Sequence, residues 1–366
     1  MLKKAAPTVM TTRRLPASFG PTLGRAGLLL ALCCAACTSV PAPPSVGAVP
    51  DTSATALRAA ALPELFQAAD TALARPPQAL ASVHTEGLLP DSPVYQRSKQ
   101  AKADWFASLA LAIAAENRPD PRYRQKLNEY FEAWVGLYQP SLNPIDETDF
   151  AYLIFAYERG RPFLAEPLRQ RTEALFRTMA EGYLNAEDPR PTGRNNWQSH
   201  RVKLASLLAF ALDDAGLIQR SRVAFRHQVA RNIEADGTLY DFRERDALRY
   251  VTYGLEPLLT AALVARAHGE DWYWFQSQGG ASLNNALVWL ADYAQGRKQH
   301  QEFAHTTVDF DRRRQAAGLP GYDGLWQPEN ASRTYQLASR LDPAWIGLAE
   351  QLGPAQAWLQ YLYPRG

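Results

Sequence analysis

The chain has 366 residues, enough for one large domain or two ordinary ones, and its 46% hydrophobic content excludes a disordered chain. Five of the 39 Lys and Arg residues precede Cys37 and none of the 37 Asp and Glu residues does. The formal +2 therefore becomes 34 basic against 37 acidic, a net −3, which excludes a broadly basic nucleic-acid binder. An anionic partner has to be held by a local basic cleft.

Lys3, Lys4, Arg13, Arg14 and Arg25 precede the apolar run 26–36, the layout of an export signal. The run is shorter than the ~20 apolar residues of a membrane-spanning helix. It ends Leu32-Cys33-Cys34-Ala35-Ala36-Cys37, and the small residues before Cys37 resemble a bacterial lipobox. Cys37 is then the acylated first residue of the mature protein, and the lipid is its only contact with the membrane. By resemblance to such lipoproteins, Thr38 in place of Asp favours the outer membrane where the cell has one, facing the periplasm or the cell surface. All three cysteines lie here, so the body has no disulfide and no Cys nucleophile.

Residues 38–55, rich in Pro, Ala, Ser and Val, read as a flexible tether between the signal (1–37) and a domain over 56–366. From there apolar residues recur at three- and four-residue spacing, predicting helices over 62–74, 94–117, 123–138, 148–159 and 163–184. Further helices are predicted over 196–214, 217–233, 246–268 and 281–295. Pro119, Pro121, Pro140, Pro144, Pro189, Pro191 and Asp236-Gly237 separate them. Only 238–242 reads as extended. The fold class is all-α, of antiparallel helix pairs.

Three stretches can carry chemistry. Arg194-Asn195-Asn196-Trp197-Gln198-Ser199-His200 opens a helix, where Asn195 or Asn196 is a natural N-cap. Asn196 and His200, four apart, share a face near free N–H groups that favour a carboxylate. In the second stretch Arg243 and Tyr250 are seven apart, two helical turns, and so can face the same way. The third, 138–148, holds Asp146, Glu147 and Thr148 and can line a cleft or serve only as a cap.

An Asn-Asn pair opening a helix, then Asp-Gly, an Arg and Tyr250-x-x-Tyr253-x-Leu255-x-Pro257-Leu258, resembles the alginate lyase superfamily. Mannuronate lyases of that group carry Asn-Asn-His-x-Tyr-Trp and an Arg seven residues before Tyr-His-Asn-Tyr-Ala-Leu-Pro-Pro-Leu. Asn196, Arg243 and Tyr250 match. Trp197 stands where those enzymes have His, and His200, one turn on, is the replacement. Asn-Asn-Trp-x-Ser-His is more similar to the glucuronan and alginate lyases of polysaccharide lyase family 38. The specific resemblance covers residues 190–260.

The resemblance implies an incomplete (α/α) toroid that cleaves anionic uronate polysaccharides by β-elimination, as a monomer. Tyr250 would be the acid and base. Asn196, His200 and Arg243 would neutralise the carboxylate, with His200 the base if the leaving groups lie on opposite faces. Arg194, Asn195, Trp197, Arg245 and Tyr253 would contact substrate. No cofactor or metal is required. The alternatives are a hydrolase of unsaturated uronates recruiting Asp146, Glu147 or Asp241, and a glycan-binding surface lipoprotein without catalysis.

Overall fold

Helix boundaries follow the capping residues and prolines. The computed structural model describes residues 52–186 and 188–365, so the export signal, Cys37 and residues 38–51 of the tether lie outside the described residues. The helices begin with α1 (Thr52–Leu73), α2 (Pro93–Asn117), α3 (Pro121–Leu137), α4 (Ala151–Gly160) and α5 (Glu166–Asn185). Next come α6 (Asn196–Ala211), α7 (Ala215–Asn232), α8 (Tyr240–Arg245), α9 (Leu248–Ala267) and α10 (Leu283–Ala294). The last are α11 (Asp309–Ala316), α12 (Ser332–Ala338), α13 (Ile346–Gln351) and α14 (Ala357–Leu362). Thus α1 starts inside the stretch expected to be tether.

Ser92, Asp120, Asn195, Asp214 and Ser282 each accept a backbone N–H from the first turn of the helix they precede. They satisfy donors that a helix start leaves free. Pro93 and Pro121 take first helical positions, where a missing N–H does no harm.

Burial sorts the helices into two layers. Residues 107–115 of α2, 199–211 of α6 and 257–265 of α9 are all buried, as in helices surrounded by protein. In contrast, α3 buries one stripe: Tyr123, Leu127, Tyr130, Phe131 and Trp134. The inner helices pair α2 with α4 and α6 with α9, while α1 and α3 back α2, and α5 and α7 back α6. This is the inner-and-outer pairing of an (α/α) toroid. The ends of the domain meet where Gln360 Nε2 donates to the Leu57 carbonyl at 2.8 Å and Arg58 Nε to the Tyr361 carbonyl at 3.2 Å.

Among the described residues β-structure is limited to three isolated bridges. The extended stretch expected at 238–242 reduces to one of them, Ile233 to Leu239. Gly237, at φ +90°, turns the chain back, and Tyr240 already begins α8. A second interruption matters more. Asp246 adopts the left-handed conformation (φ 51°, ψ 51°) and separates α8 from α9.

Candidate active site

A cleft of about 840 Å³ opens over the inner helices. Its walls come from Thr85 and Glu86 before α2, Lys99 and Lys102 of α2, Asn196 and Trp197 of α6, and Tyr250 and Tyr253 of α9. Arg245, Arg249, Arg314 and Tyr322 close another side. Burial pushes the carboxyls of Glu86, Glu256 and Glu302 on these walls upward, Glu302 to about 7. The lining holds five basic residues (Lys99, Lys102, Arg245, Arg249, Arg314) and five acidic ones (Glu86, Asp149, Glu256, Glu302, Asp323), a local gathering of cations on a body of net negative charge.

Tyr250 sits between two arginines. Its hydroxyl oxygen accepts from Arg314 Nη1 at 2.8 Å, and the Arg245 guanidinium lies 4.0 Å from its ring centroid. Asp311, fully buried, accepts from Arg245 Nη1 at 2.8 Å and lies 3.6 Å from Arg314 Nη1. One carboxylate thus sets both arginines against one phenol. Burial pushes Tyr250 up to about 12, while Arg245 and then Arg314 pull it back by favouring the phenolate.

Arg243 is not in this group. Its side chain is 55% exposed and lies 3.7 Å from Glu234, outside the cleft lining. The expectation that seven residues place Arg243 beside Tyr250 requires one continuous helix. Asp246 breaks that helix, the register shifts, and Arg245 takes the inward place.

Asn196 lines the cleft and is fixed from below by Asp241. Its backbone N–H and its Nδ2 donate to Asp241 Oδ1 at 2.8 and 2.6 Å, and Asn232 Nδ2 donates to Oδ2 at 2.8 Å. Burial pushes Asp241 up to about 6 against the pull of these donors. One of the two amide N–H bonds of Asn196 remains for a ligand. Gly254 of α9 permits this packing, since a Cβ there would lie 3.2 Å from Asp241 Oδ2. Asn195 is the N-cap of α6, its Oδ1 taking the Trp197 N–H at 3.0 Å and its Nδ2 donating to Glu244. Arg194 stacks on Tyr240 at 3.9 Å, away from the cleft. Of the expected substrate contacts, Trp197, Arg245 and Tyr253 line the cleft and Asn195 and Arg194 do not.

His200 lies behind the wall. It is 3% exposed, its ring centroid is 4.4 Å from that of Tyr253, and its Nδ1 meets Thr148 Oγ1 at 2.8 Å. Burial holds its imidazole well below the ordinary range. The Lys203, Arg333 and Lys102 charges push the same way, and the Tyr253 carbonyl opposes them. A neutral, enclosed ring cannot supply the positive charge expected of it, nor reach a substrate as base.

The third stretch divides. Ile145 and Thr148 line the cleft. Asp146 accepts from the backbone N–H groups of Thr85 and Glu86 at 2.6 and 2.7 Å, anchoring that wall. Glu147, fully buried, accepts from the hydroxyls of Tyr138 and Tyr183 and the Ser141 N–H. Asp146, Glu147 and Asp241 are all engaged, and none forms a facing pair of acids. Sequence reasoning missed Arg314, Asp311, Arg249 and Lys102, which reach the site only by folding.

The Alginate lyase family matches residues 49–300, more than half of the chain. The chain belongs to the alginate lyase family. A polysaccharide lyase of Stenotrophomonas maltophilia (strain K279a) is 34% identical over 128 residues, a stretch that spans 34% of the chain and only 35% of that relative. An alginate lyase from Bacteroides ovatus matches in structure with a TM-score of 0.63 at 18% identity, covering 84% of this chain and 93% of that one. Alginate lyase A1-III from Sphingomonas species A1 gives 0.55 at 16% identity over 82% and 88%. At these identities the structural likeness shows the fold alone. In this member of the alginate lyase family, Asp311 and Arg314 lie beyond the matched residues, yet they help build the clamp on Tyr250.

Proposed function

We propose that the protein is a polysaccharide lyase that cleaves β-1,4-linked uronate polymers, polymannuronate or glucuronan, by β-elimination. The observation that carries this reading is the Tyr250 hydroxyl in the cleft, bonded to Arg314 and covered by Arg245.

The C5 proton of a uronate is weakly acidic because its ionised C6 carboxylate resists more negative charge. Donors aimed at that carboxylate stabilise the dianion that develops. The free amide N–H of Asn196 and the guanidinium of Arg245 or Arg249 supply them, replacing the Arg243 and His200 of the sequence expectation. Tyr250, whose phenolate the two cations favour against the opposing effect of burial, removes the C5 proton. The C5–H electrons form the C4–C5 double bond, the bond to O4 breaks, and Tyr250 returns the proton to O4. Mannuronate and glucuronate offer the C5 proton and O4 on one side, so one tyrosine serves both steps. The anionic partner fits the lining, and alginate lyase A1-III has been crystallised with a tetrasaccharide. From the lipobox-like segment that ends at Cys37, we infer an outer-membrane lipoprotein, periplasmic or at the cell surface.

A panel of polymannuronate, polyguluronate, glucuronan and hyaluronan tests the reading. The ultraviolet absorbance of unsaturated uronate should rise on polymannuronate or glucuronan. New reducing ends without absorbance would mean hydrolysis, and binding without product would mean a glycan-binding protein.

A further inference from the structure

Of the carboxyl groups that line the cleft, three are tied to a partner. Asp149 pairs with Lys102 at 2.9 Å, Glu256 lies 3.3 Å from Arg333 Nε, and Glu302 accepts the Arg249 N–H at 2.9 Å. Asp323 is exposed to solvent. Glu86 differs from all of these. It is partly buried, and its carboxyl has no hydrogen bond or ion pair among the described residues. An ionised, unpaired carboxylate on such a wall would repel a polyanionic substrate.

The position of Glu86 is built. Residues 85–88 make a tight turn, in which the Leu88 N–H meets the Thr85 carbonyl at 3.4 Å. Gly87 takes the third place of that turn at φ +71°, which leaves Glu86 at the tip. Asp146, buried, holds the turn from behind. It accepts from the Glu86 N–H at 2.7 Å, the Thr85 N–H at 2.6 Å and His84 Nδ1 at 2.9 Å. The 138–148 stretch thus serves the cleft as the anchor of this acid.

Glu86 and Tyr250 stand on different walls, one on a turn before α2 and the other on α9. Arg245 and Arg314, which both contact Tyr250, also act on the Glu86 carboxyl, so the acid faces the clamp on the tyrosine. Burial, then the Asp146 charge, pushes the Glu86 carboxyl up, while His84, Arg314 and Arg245 oppose them. That direction favours the form that carries a proton.

One role in the cleft is unfilled. Tyr250 can serve both C5 and O4 only where the two lie on one side of the ring. In guluronate they lie on opposite sides, and His200, the residue expected to act in that case, is enclosed behind the wall. We propose that Glu86 is a second catalytic residue, which gives the proton to O4 when a uronate presents its C5 hydrogen and O4 on opposite faces. Guluronate residues then join the substrates. This role rests on the lyase reading with Tyr250 as the base. The Tyr250 phenolate takes the C5 proton, the C5–H electrons form the C4–C5 double bond, and the C4–O4 bond breaks with its electron pair on O4. The Glu86 O–H protonates that oxygen. Tyr250 ends neutral and Glu86 ionised, and proton exchange with water resets both.

The test compares polyguluronate with polymannuronate by the absorbance of unsaturated product. Glu86→Gln keeps the size and hydrogen bonding of the side chain but carries no acidic proton. Its kcat on polyguluronate should fall about 10²-fold or more with KM held, and its kcat on polymannuronate should stay at the wild-type value. A guluronate carrying 4-nitrophenolate at C4 loses that group without a proton. Glu86→Gln should cleave it as wild type does, and Tyr250→Phe should not. Glu86→Asp keeps an acid on a shorter arm; it should fall between, and it carries the comparison should Glu86→Gln not fold. The proposal is overturned by a wild type inactive on polyguluronate, by a variant that keeps the polyguluronate rate, by equal losses on both polymers, or by a rise in KM alone. Cleavage of polymannuronate or glucuronan that Tyr250→Phe abolishes upholds the lyase reading whichever way Glu86 falls. A wild type that gives no unsaturated product on any of the polymers removes that reading and this role with it.

Discussion

Tyr250 is an ordinary phenol whose surroundings pull its proton affinity in two directions. Burial pushes it up to about 12, and two guanidinium groups work against that. Removing Arg314 takes away the direct donor to the hydroxyl oxygen. Arg314→Gln should lower kcat by about 10²-fold, the scale of one preorganised donor in a dry site. Its rate should also rise more steeply with alkaline pH, since losing a neighbouring cation raises the pKa of a phenol. A rate equal to wild type at all pH values would remove Arg314 from the mechanism. Arg243→Ala should keep wild-type kcat/KM, because its side chain pairs with Glu234 outside the cleft. A large loss in that variant would restore the seven-residue reading. Asp241→Ala should cost activity through Asn196, which loses two hydrogen bonds that aim it.

At the scale of elements, the start of α9 decides where Tyr250 stands. Ala247 offers no side-chain cap, and Glu302 from a distant loop replaces one by accepting the Arg249 N–H at 2.9 Å. Glu302 is 2% exposed, and burial pushes its carboxyl up to about 7. A carboxyl with a raised folded-state pKa adds stability below its unfolded value, and that stability is lost as pH rises through about 7. Glu302→Gln keeps an accepting oxygen and cannot ionise, so its thermal stability should change less between acid and neutral pH than that of wild type. Equal pH slopes in the two proteins would show that Glu302 does not titrate there. The helices themselves were legible, because apolar spacing, Asp and Ser caps and prolines are local signals. The break at Asp246 was not, because a left-handed non-glycine residue carries no sequence mark. It is held by distant partners, the N–H groups of Phe303 and His305. That one residue explains why Arg245 and not Arg243 faces the cleft.

For the whole molecule, the toroid brings together residues that no motif connects. Asn196 and Tyr250 were readable because they lie inside the matched stretch, whereas Arg314 and Asp311 come from α11, some sixty residues after Tyr250 in the chain. Wrapping inner helices around one axis also sets Lys203 and Arg333 against Asp149 and Glu256, an even balance of charge beside the cleft. An aromatic cluster holds α2 against α3. Trp105 is fully buried with ring centroids 5.1 Å from Trp134 and 5.3 Å from Phe150. Trp105→Ala should cost about 3–5 kcal/mol in denaturant unfolding, and a loss under ~1 kcal/mol would mean the core collapses around the gap. The central claim is that Tyr250 exchanges the proton in a β-elimination. Its most direct test is the initial rate of unsaturated-uronate absorbance for wild type and Tyr250→Phe on the best polymer. The account predicts a rising signal for wild type and no measurable rise for a folded Tyr250→Phe, and a wild-type rate in that variant would contradict it.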